Sequence, residues 1–309
     1  MRAATYSSYC QDNSSLTVSE LPDPKVAPGA VLIEVRAAGV NPVDWKVMAG
    51  YLDGLMDAVF PVIPGWDVAG VVRAVGPDTP EFAVGDDVYA YARKDVVHAG
   101  TFAELVAVSA VAVARKPTTL TFEQAGGLPL AGLTALRTLQ SIGVWPDGSG
   151  KTVLVHGASG GVGSCAVQLA VAAGARVIGT ASERNHAYLR SLGAEPVTYG
   201  DGLAERVRSF APDGVDASAD FVGDVEDTTL AVLAAGGRHA SVADPTVTAH
   251  AGEYVWVRPD HDGLVTLAEL ADAGKLTVDV AGTFGLDEVG TAFDLSREGH
   301  TRGKLVIVP

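Results

Sequence analysis

The segment Val153-Leu154-Val155-His156-Gly157-Ala158-Ser159-Gly160-Gly161-Val162-Gly163 constrains the fold more than any other part of the chain. An apolar run ends in glycines spaced G-x-x-G-x-x-G, and a small-residue helical segment follows at once. A strand that turns into a helix through glycines lets backbone N–H groups at the helix N-terminus approach a phosphate with no side chain in the way. A second apolar run, Arg176–Thr180, follows that helix and supplies the strand–helix–strand context that a dinucleotide-binding turn requires. The same residues also satisfy G-x-S-x-G, the nucleophile turn of α/β-hydrolases, and His239, His250, His261 and His300 follow in a compatible order. The third glycine, Gly163, and the strand after the helix favour the dinucleotide reading.

Around this turn the pattern alternates regularly. Strands are expected at Val153–His156, Arg176–Thr180, Glu195–Thr198, Asp216–Phe221 and Arg238–Val242, with helices at Gly161–Ala173, Asn185–Leu192, Leu203–Phe210 and Asp227–Ala234. Such alternation means a parallel sheet with helices on both faces, the doubly wound Rossmann arrangement. Residues 1–120 read differently, as short strands broken by Gly and Pro, which suggests a barrel-like β domain. The expected division is therefore a β-rich domain over 1–120, a dinucleotide-binding domain over 121–275 that ends in a helix at Leu264–Ala273, and a segment over 276–309 that returns to the first domain.

Composition narrows the function classes. A net charge of −15 disfavours nucleic-acid binding, which depends on Lys and Arg neutralising phosphates. The two cysteines, Cys10 and Cys165, cannot build a disulfide framework or a Cys-x-x-Cys zinc site. No run approaches the roughly 20 apolar residues that span a bilayer, and Met1–Tyr6 lacks the apolar stretch of a signal peptide, so a cytoplasmic protein with no membrane partner is expected.

The end of the second strand bears on the cofactor. An acidic residue there would accept hydrogen bonds from a ribose 2′-hydroxyl and repel a 2′-phosphate. Here Thr180-Ala181-Ser182-Glu183-Arg184 has no acid at the strand tip, while Ser182 and Arg184 can meet a phosphate. NADPH is the expected cofactor.

Several further motifs carry a family resemblance over essentially the whole chain. They are Gly39-Val40-Asn41-Pro42-Val43-Asp44-Trp45-Lys46, Gly50-Tyr51, Pro64-Gly65-Trp66-Asp67-Val68-Ala69-Gly70, Leu192-Gly193-Ala194 and the terminal Gly303-Lys304-Leu305-Val306. With the glycine turn, they resemble the medium-chain dehydrogenase/reductase superfamily, in its zinc-independent quinone oxidoreductase (zeta-crystallin-like) branch. That resemblance implies an α/β chain with a GroES-like β-rich catalytic domain and a Rossmann domain, working as a homodimer. It implies NADPH-dependent hydride transfer to a quinone or to the C=C of an α,β-unsaturated carbonyl. The alternative is a non-catalytic NADPH-binding sensor or structural protein on the same fold.

The residues implied follow motif by motif. Asn41 stands where zinc-dependent relatives carry a ligand cysteine, and Gly65-Trp66-Asp67 stands where they carry Gly-His-Glu, so their zinc site is not expected here. Asn41 can donate its amide to the developing oxyanion, Tyr51 is the candidate donor or proton source, and Thr134 lies near the nicotinamide. Asp44 and Asp67 are read as supporting carboxylates. The cofactor is expected to meet Ser159, Gly160, Gly161, Val162, Thr180, Ser182, Arg184, Tyr199, Phe221, Val222 and Ser241. A short-chain dehydrogenase would need Tyr-x-x-x-Lys, and Tyr254–Arg258 puts an arginine where the lysine belongs.

Overall fold

The computed structural model describes all 309 residues. It divides into two compact units, Met1–Leu130 with Arg258–Pro309, and Ala131–Val257. The first unit opens with a short hairpin, Arg2–Thr5 against Thr17–Glu20. It continues through β1 (Ala30–Val40), α1 (Pro42–Met48), β2 (Asp67–Val75), β3 (Asp87–Tyr91), β4 (Leu105–Ser109), β5 (Val113–Arg115) and α2 (Phe122–Gly126). β1 is rich in β-branched residues, and Val31, Ile33 and Val35 along it are buried in one apolar core with Val68, Val72, Val88 and Val106. Period-2 burial of this kind is what holds the register of a strand. α1 starts at Asn41, whose N–H is met by the Asp44 carboxylate, with Pro42 at the first helical position.

α3 (Pro129–Ser141) leads into the second unit, which follows with β6 (Thr152–His156), α4 (Gly161–Ala172), β7 (Arg176–Thr180), α5 (His186–Ser191), β8 (Glu195–Val197), α6 (Leu203–Phe210), β9 (Val215–Asp220), α7 (Glu226–Val232), β10 (Leu233–Ser241) and β11 (Glu253–Tyr254). The sheet is six-stranded and parallel, in the order β8-β7-β6-β9-β10-β11. Val153, Leu154 and Val155 are wholly buried, as a strand covered on both faces must be. Strand order reverses at β6, which pairs β7 on one side and β9 on the other. Ligands of open α/β sheets bind at such a switch point, beyond the strand C-termini. The pairing register aligns His156 with Asp220 and Asp220 with Ser241 at that edge.

The returning segment holds α8 (His261–Asp272), β12 (Val280–Phe284), α9 (Val289–Glu298) and β13 (Lys304–Ile307). It completes a seven-stranded sheet in the order β12-β13-β1-β2-β3-β5, with β4 also paired to β1. β1 is long enough to take β4 along Ala30–Glu34 and β13 along Ala38–Val40.

Some boundaries differ from the sequence reading. Residues 121–130 and 258–275 pack with the first unit: α8 is tied there by the Tyr89 hydroxyl, which donates to the Leu264 carbonyl at 2.5 Å, and by His261, whose Nδ1 lies 2.7 Å from the Val113 carbonyl. β10 begins at Leu233 rather than Arg238: Leu233 pairs with Val215, and the register then shifts across Gly236, whose φ of +79° suits glycine, before Arg238 pairs with Ala217.

Candidate active site

In the second unit the glycine turn is held from beneath. Gly157 has φ +66°, and a Cβ on it would lie 2.5 Å from Val222 Cγ1. A Cβ on Gly163 would overlap the Gly157 carbonyl oxygen, so the first turn of α4 can close on β6 only with glycine there. Gly160 differs: its nearest neighbour to a Cβ would be the Gly157 oxygen at 3.4 Å, leaving open space above the turn. α4 runs for 12 residues from Gly161, with Gly160 before it at the N-cap and no side-chain cap. Its first N–H groups and dipole are available to an anion.

Neighbouring side chains fix this edge. The Thr180 hydroxyl accepts from Gly157 N–H (3.0 Å), and the Thr180 carbonyl accepts from Ala158 N–H (3.0 Å). Asn185 donates to the Ser159 hydroxyl (3.1 Å), so Ser159 faces an amide rather than the histidine a hydrolase nucleophile requires. Ser182 begins the short turn that carries exposed Arg184 beyond β7. Tyr199, 55% exposed, follows β8. The Thr134 hydroxyl in α3 is buried and has no hydrogen-bond partner. It does not bond its own backbone, the ordinary fate of a helical threonine. An orphaned hydroxyl costs about 1–3 kcal/mol, and such a group fits a site that a polar ligand completes.

Sequence reasoning missed Asp220, which organises the expected residues beside β9. Its Oδ1 accepts from the N–H groups of Val222 (2.9 Å) and Gly223 (3.0 Å), and its Oδ2 accepts from the Ser241 hydroxyl (2.6 Å). The Ser241 oxygen in turn accepts from Ala243 and Asp244 N–H. One carboxylate thus sets the Phe221–Gly223 turn and places Val222 against Gly157. Burial lowers the neighbouring His156 to about 4, so this histidine stays neutral at physiological pH and is a weak base. An acid at the end of a strand at the switch point was the available signal for Asp220.

The first unit holds a second polar cluster, centred on Asn41, which is 2% exposed. Asn41 Nδ2 donates to Asp67 Oδ2 at 2.8 Å and lies 3.4 Å from the Gly39 carbonyl, while its backbone N–H donates to Asp44 Oδ2 at 2.8 Å. Its Oδ1 accepts from the Lys304 ammonium at 2.5 Å. The expectation that Asn41 offers its amide to a substrate oxygen is therefore corrected: those hydrogens are committed inside the protein. Asp67 Oδ1 also accepts from Leu130 N–H (2.7 Å). Burial raises Asp67 to about 6 against the pull of Lys304, and burial also holds Asp44 well above the ordinary carboxylate range. Lys304 was visible as part of a terminal motif, but its distance in sequence from Asn41 hid the contact. Tyr51 lies beyond α1, 63% exposed, with its N–H on the Lys46 carbonyl.

Residues 27–118 match the alcohol dehydrogenase GroES-like domain model, and residues 161–256 match the zinc-binding dehydrogenase model. Among curated proteins, the NADPH-dependent alkenal/one oxidoreductase of Arabidopsis thaliana is 35% identical, over 100% of this chain and 80% of its own length. The 2-methylene-furan-3-one reductase of Solanum lycopersicum is 34% identical, over 100% of this chain and 79% of its own. This chain belongs to the medium-chain dehydrogenase/reductase superfamily, in its quinone oxidoreductase branch. The solved quinone oxidoreductase of Coxiella burnetii superposes with a TM-score of 0.85 at 32% identity, covering 100% of this chain and 99% of that one. A GroES-like β-rich unit and a parallel-sheet Rossmann unit are the architecture of this superfamily. No helix in this member is long and apolar enough to cross a membrane.

Proposed function

We propose that this protein is an NADPH-dependent reductase that transfers hydride to a quinone or to the C=C of an α,β-unsaturated carbonyl. The observation that carries the reading is the glycine turn at the open N-terminus of α4, with space above Gly160 and a buried, unpartnered Thr134 hydroxyl in the same unit. The names of the similar reductases agree with it. NADPH supplies the hydride when bound. The N–H groups at Gly161 and Val162 would hold its pyrophosphate, Ser182 and Arg184 would meet the 2′-phosphate, Tyr199 would serve the adenosine, and the Asp220-braced turn at Phe221 and Val222 would wall the site. Thr134, buried with no partner, would complete its hydrogen bonding with the nicotinamide end.

The acceptor takes the hydride at an electron-poor carbon and a proton at the oxygen or the adjacent carbon. Negative charge develops on that oxygen, so a hydrogen-bond donor beside it lowers the barrier. With the Asn41 side chain committed, the exposed Tyr51 hydroxyl is assigned as that donor or proton source, and Asn41 anchors the loop before α1. The reaction is assigned as zinc-independent, because the place of a zinc ligand is taken by an amide that already holds the buried Lys304 ammonium, a charge that repels a second cation. Activity is expected to survive a chelator.

A homodimer is proposed through the sheet edge at β11, a two-residue edge strand followed by exposed Trp256. Sedimentation should give about twice the 31.7 kDa chain mass, and Trp256→Asp should shift it toward the monomer. The deciding experiment is steady-state oxidation of NADPH, with NADH in parallel, against 1,4-benzoquinone, 9,10-phenanthrenequinone and a set of enones. Turnover with either acceptor class supports the reading and names the class. NADPH binding without turnover on any acceptor moves the protein to the non-catalytic alternative.

A further inference from the structure

Lys304 has no part in the hydride chemistry described above, yet it is built into the Asn41 cluster with unusual completeness. It stands at the head of β13, 6% exposed, where the pairing of Leu305 with Val40 brings it beside the end of β1. Its backbone N–H donates to the Asp279 carbonyl, and its stem lies over α2's end, where a Cβ on Gly127 would meet Lys304 Cβ at 3.2 Å. The ammonium donates to the Val40 carbonyl (2.9 Å) and to Asn41 Oδ1 (2.5 Å), and stands 3.9 Å from Asp67 Oδ2. Burying a cation is costly unless it is paired and hydrogen-bonded, and here three acceptors surround it.

The consequence falls on Asn41. An asparagine amide can turn over and exchange oxygen for nitrogen. Lys304 offers only donors and the ionised Asp67 only acceptors, so the pair admits one orientation. We propose that Lys304 is a positioning residue for the reduction: by gripping the Asn41 oxygen and the Val40 carbonyl while Asp67 grips the Asn41 nitrogen, it fixes the loop that starts α1. This rests on the proposed role of Tyr51, which α1 carries just beyond its far end, and part of its test is independent of that reading.

The titratable groups facing the ammonium are Asp67 from β2 and Asp44 from α1, while Asp279 is paired with Arg302 at 2.6 Å on the outer side. Asp67 is held up by burial and pulled down by Lys304. A carboxyl raised in the folded state adds stability below its unfolded value and loses it as pH rises through the folded value. Removing the cation raises Asp67 further, so a variant without it loses more stability between pH 5 and pH 8 than the wild type does.

The experiment compares Lys304→Met, Lys304→Arg and wild type by NADPH-dependent turnover at saturating acceptor and by thermal unfolding at pH 5 and pH 8. Lys304→Met is expected to lower kcat about tenfold or more, with the KM for NADPH within about threefold. Its unfolding temperature should fall further below wild type at pH 8 than at pH 5. Lys304→Arg, which keeps the charge, should recover part of both losses. Wild-type kcat in Lys304→Met overturns the proposal, as does a stability gap equal at the two pH values with no rescue by arginine. If the wild type reduced none of the acceptors, the reductase reading would fall. The pH dependence of the stability gap would still decide for or against the clamp.

Discussion

Asn41 makes five polar contacts from one residue: its N–H to Asp44, its carbonyl from Asp44 N–H, its Nδ2 to Asp67 and to the Gly39 carbonyl, and its Oδ1 from Lys304. Two buried carboxyls beside one ammonium cannot both ionise cheaply, and burial holds Asp44 in the neutral form at moderate pH. Asp44→Asn removes the ionisation while keeping a similar shape. Its stability relative to wild type should therefore increase as pH rises from 5 to 9, by about 1 kcal/mol or more, as followed by chemical denaturation. In the glycine turn, Gly160→Ala meets nothing closer than 3.4 Å and keeps an allowed φ of −76°. The free protein should lose about 1 kcal/mol or less. The added methyl occupies the open face of the turn, so NADPH affinity measured by fluorescence titration should fall about tenfold or more.

At the scale of elements, the C-terminal edge of the parallel sheet is organised by Asp220 as much as by the glycines. Asp220→Ala frees Val222 and Gly223 N–H and the Ser241 hydroxyl together. A loss of about 2–4 kcal/mol in stability is expected, since several buried groups lose a charged partner at once, and NADPH should bind more weakly as the Val222 turn loosens. In the first unit, α9 anchors through wholly buried Phe293, which packs on Phe102 with ring centroids 6.1 Å apart. Phe293→Ala should cost about 3–5 kcal/mol, measured by denaturant unfolding. The strand–helix alternation of the second unit was legible in the sequence because each element's apolar period is local. α8 was assigned to that unit for the same reason: an amphipathic helix shows that it has an apolar face and does not show which core covers it. Tyr89 and Val113, far away in sequence, decide that.

For the whole molecule, ligand linkage is the most direct observable. A ligand that binds only the folded state at about a hundred times its Kd adds about 2.7 kcal/mol. NADPH should raise the unfolding temperature accordingly, and NADH at the same concentration should raise it much less if Ser182 and Arg184 address the 2′-phosphate as proposed. Equal shifts with the two cofactors would remove that assignment. The net charge of −15 sets an acidic exterior, and retention on a nucleic-acid column at physiological salt is not expected.

The sequence by itself determined the Rossmann unit, the strand-to-helix glycine turn, the absence of an acid at the tip of β7 and the family to which the chain belongs. All of these are written in residues adjacent or at short fixed spacing, where backbone geometry and hydrophobic period leave a local trace. Only the tertiary structure decided that Asn41, Asp67 and Lys304 meet, that the Asn41 amide is turned inward, that Asp220 braces the Val222 turn and that the Thr134 hydroxyl is left without a partner. Those facts depend on strand register and on burial, which bring distant residues into hydrogen-bond range and remove the water that would otherwise satisfy them.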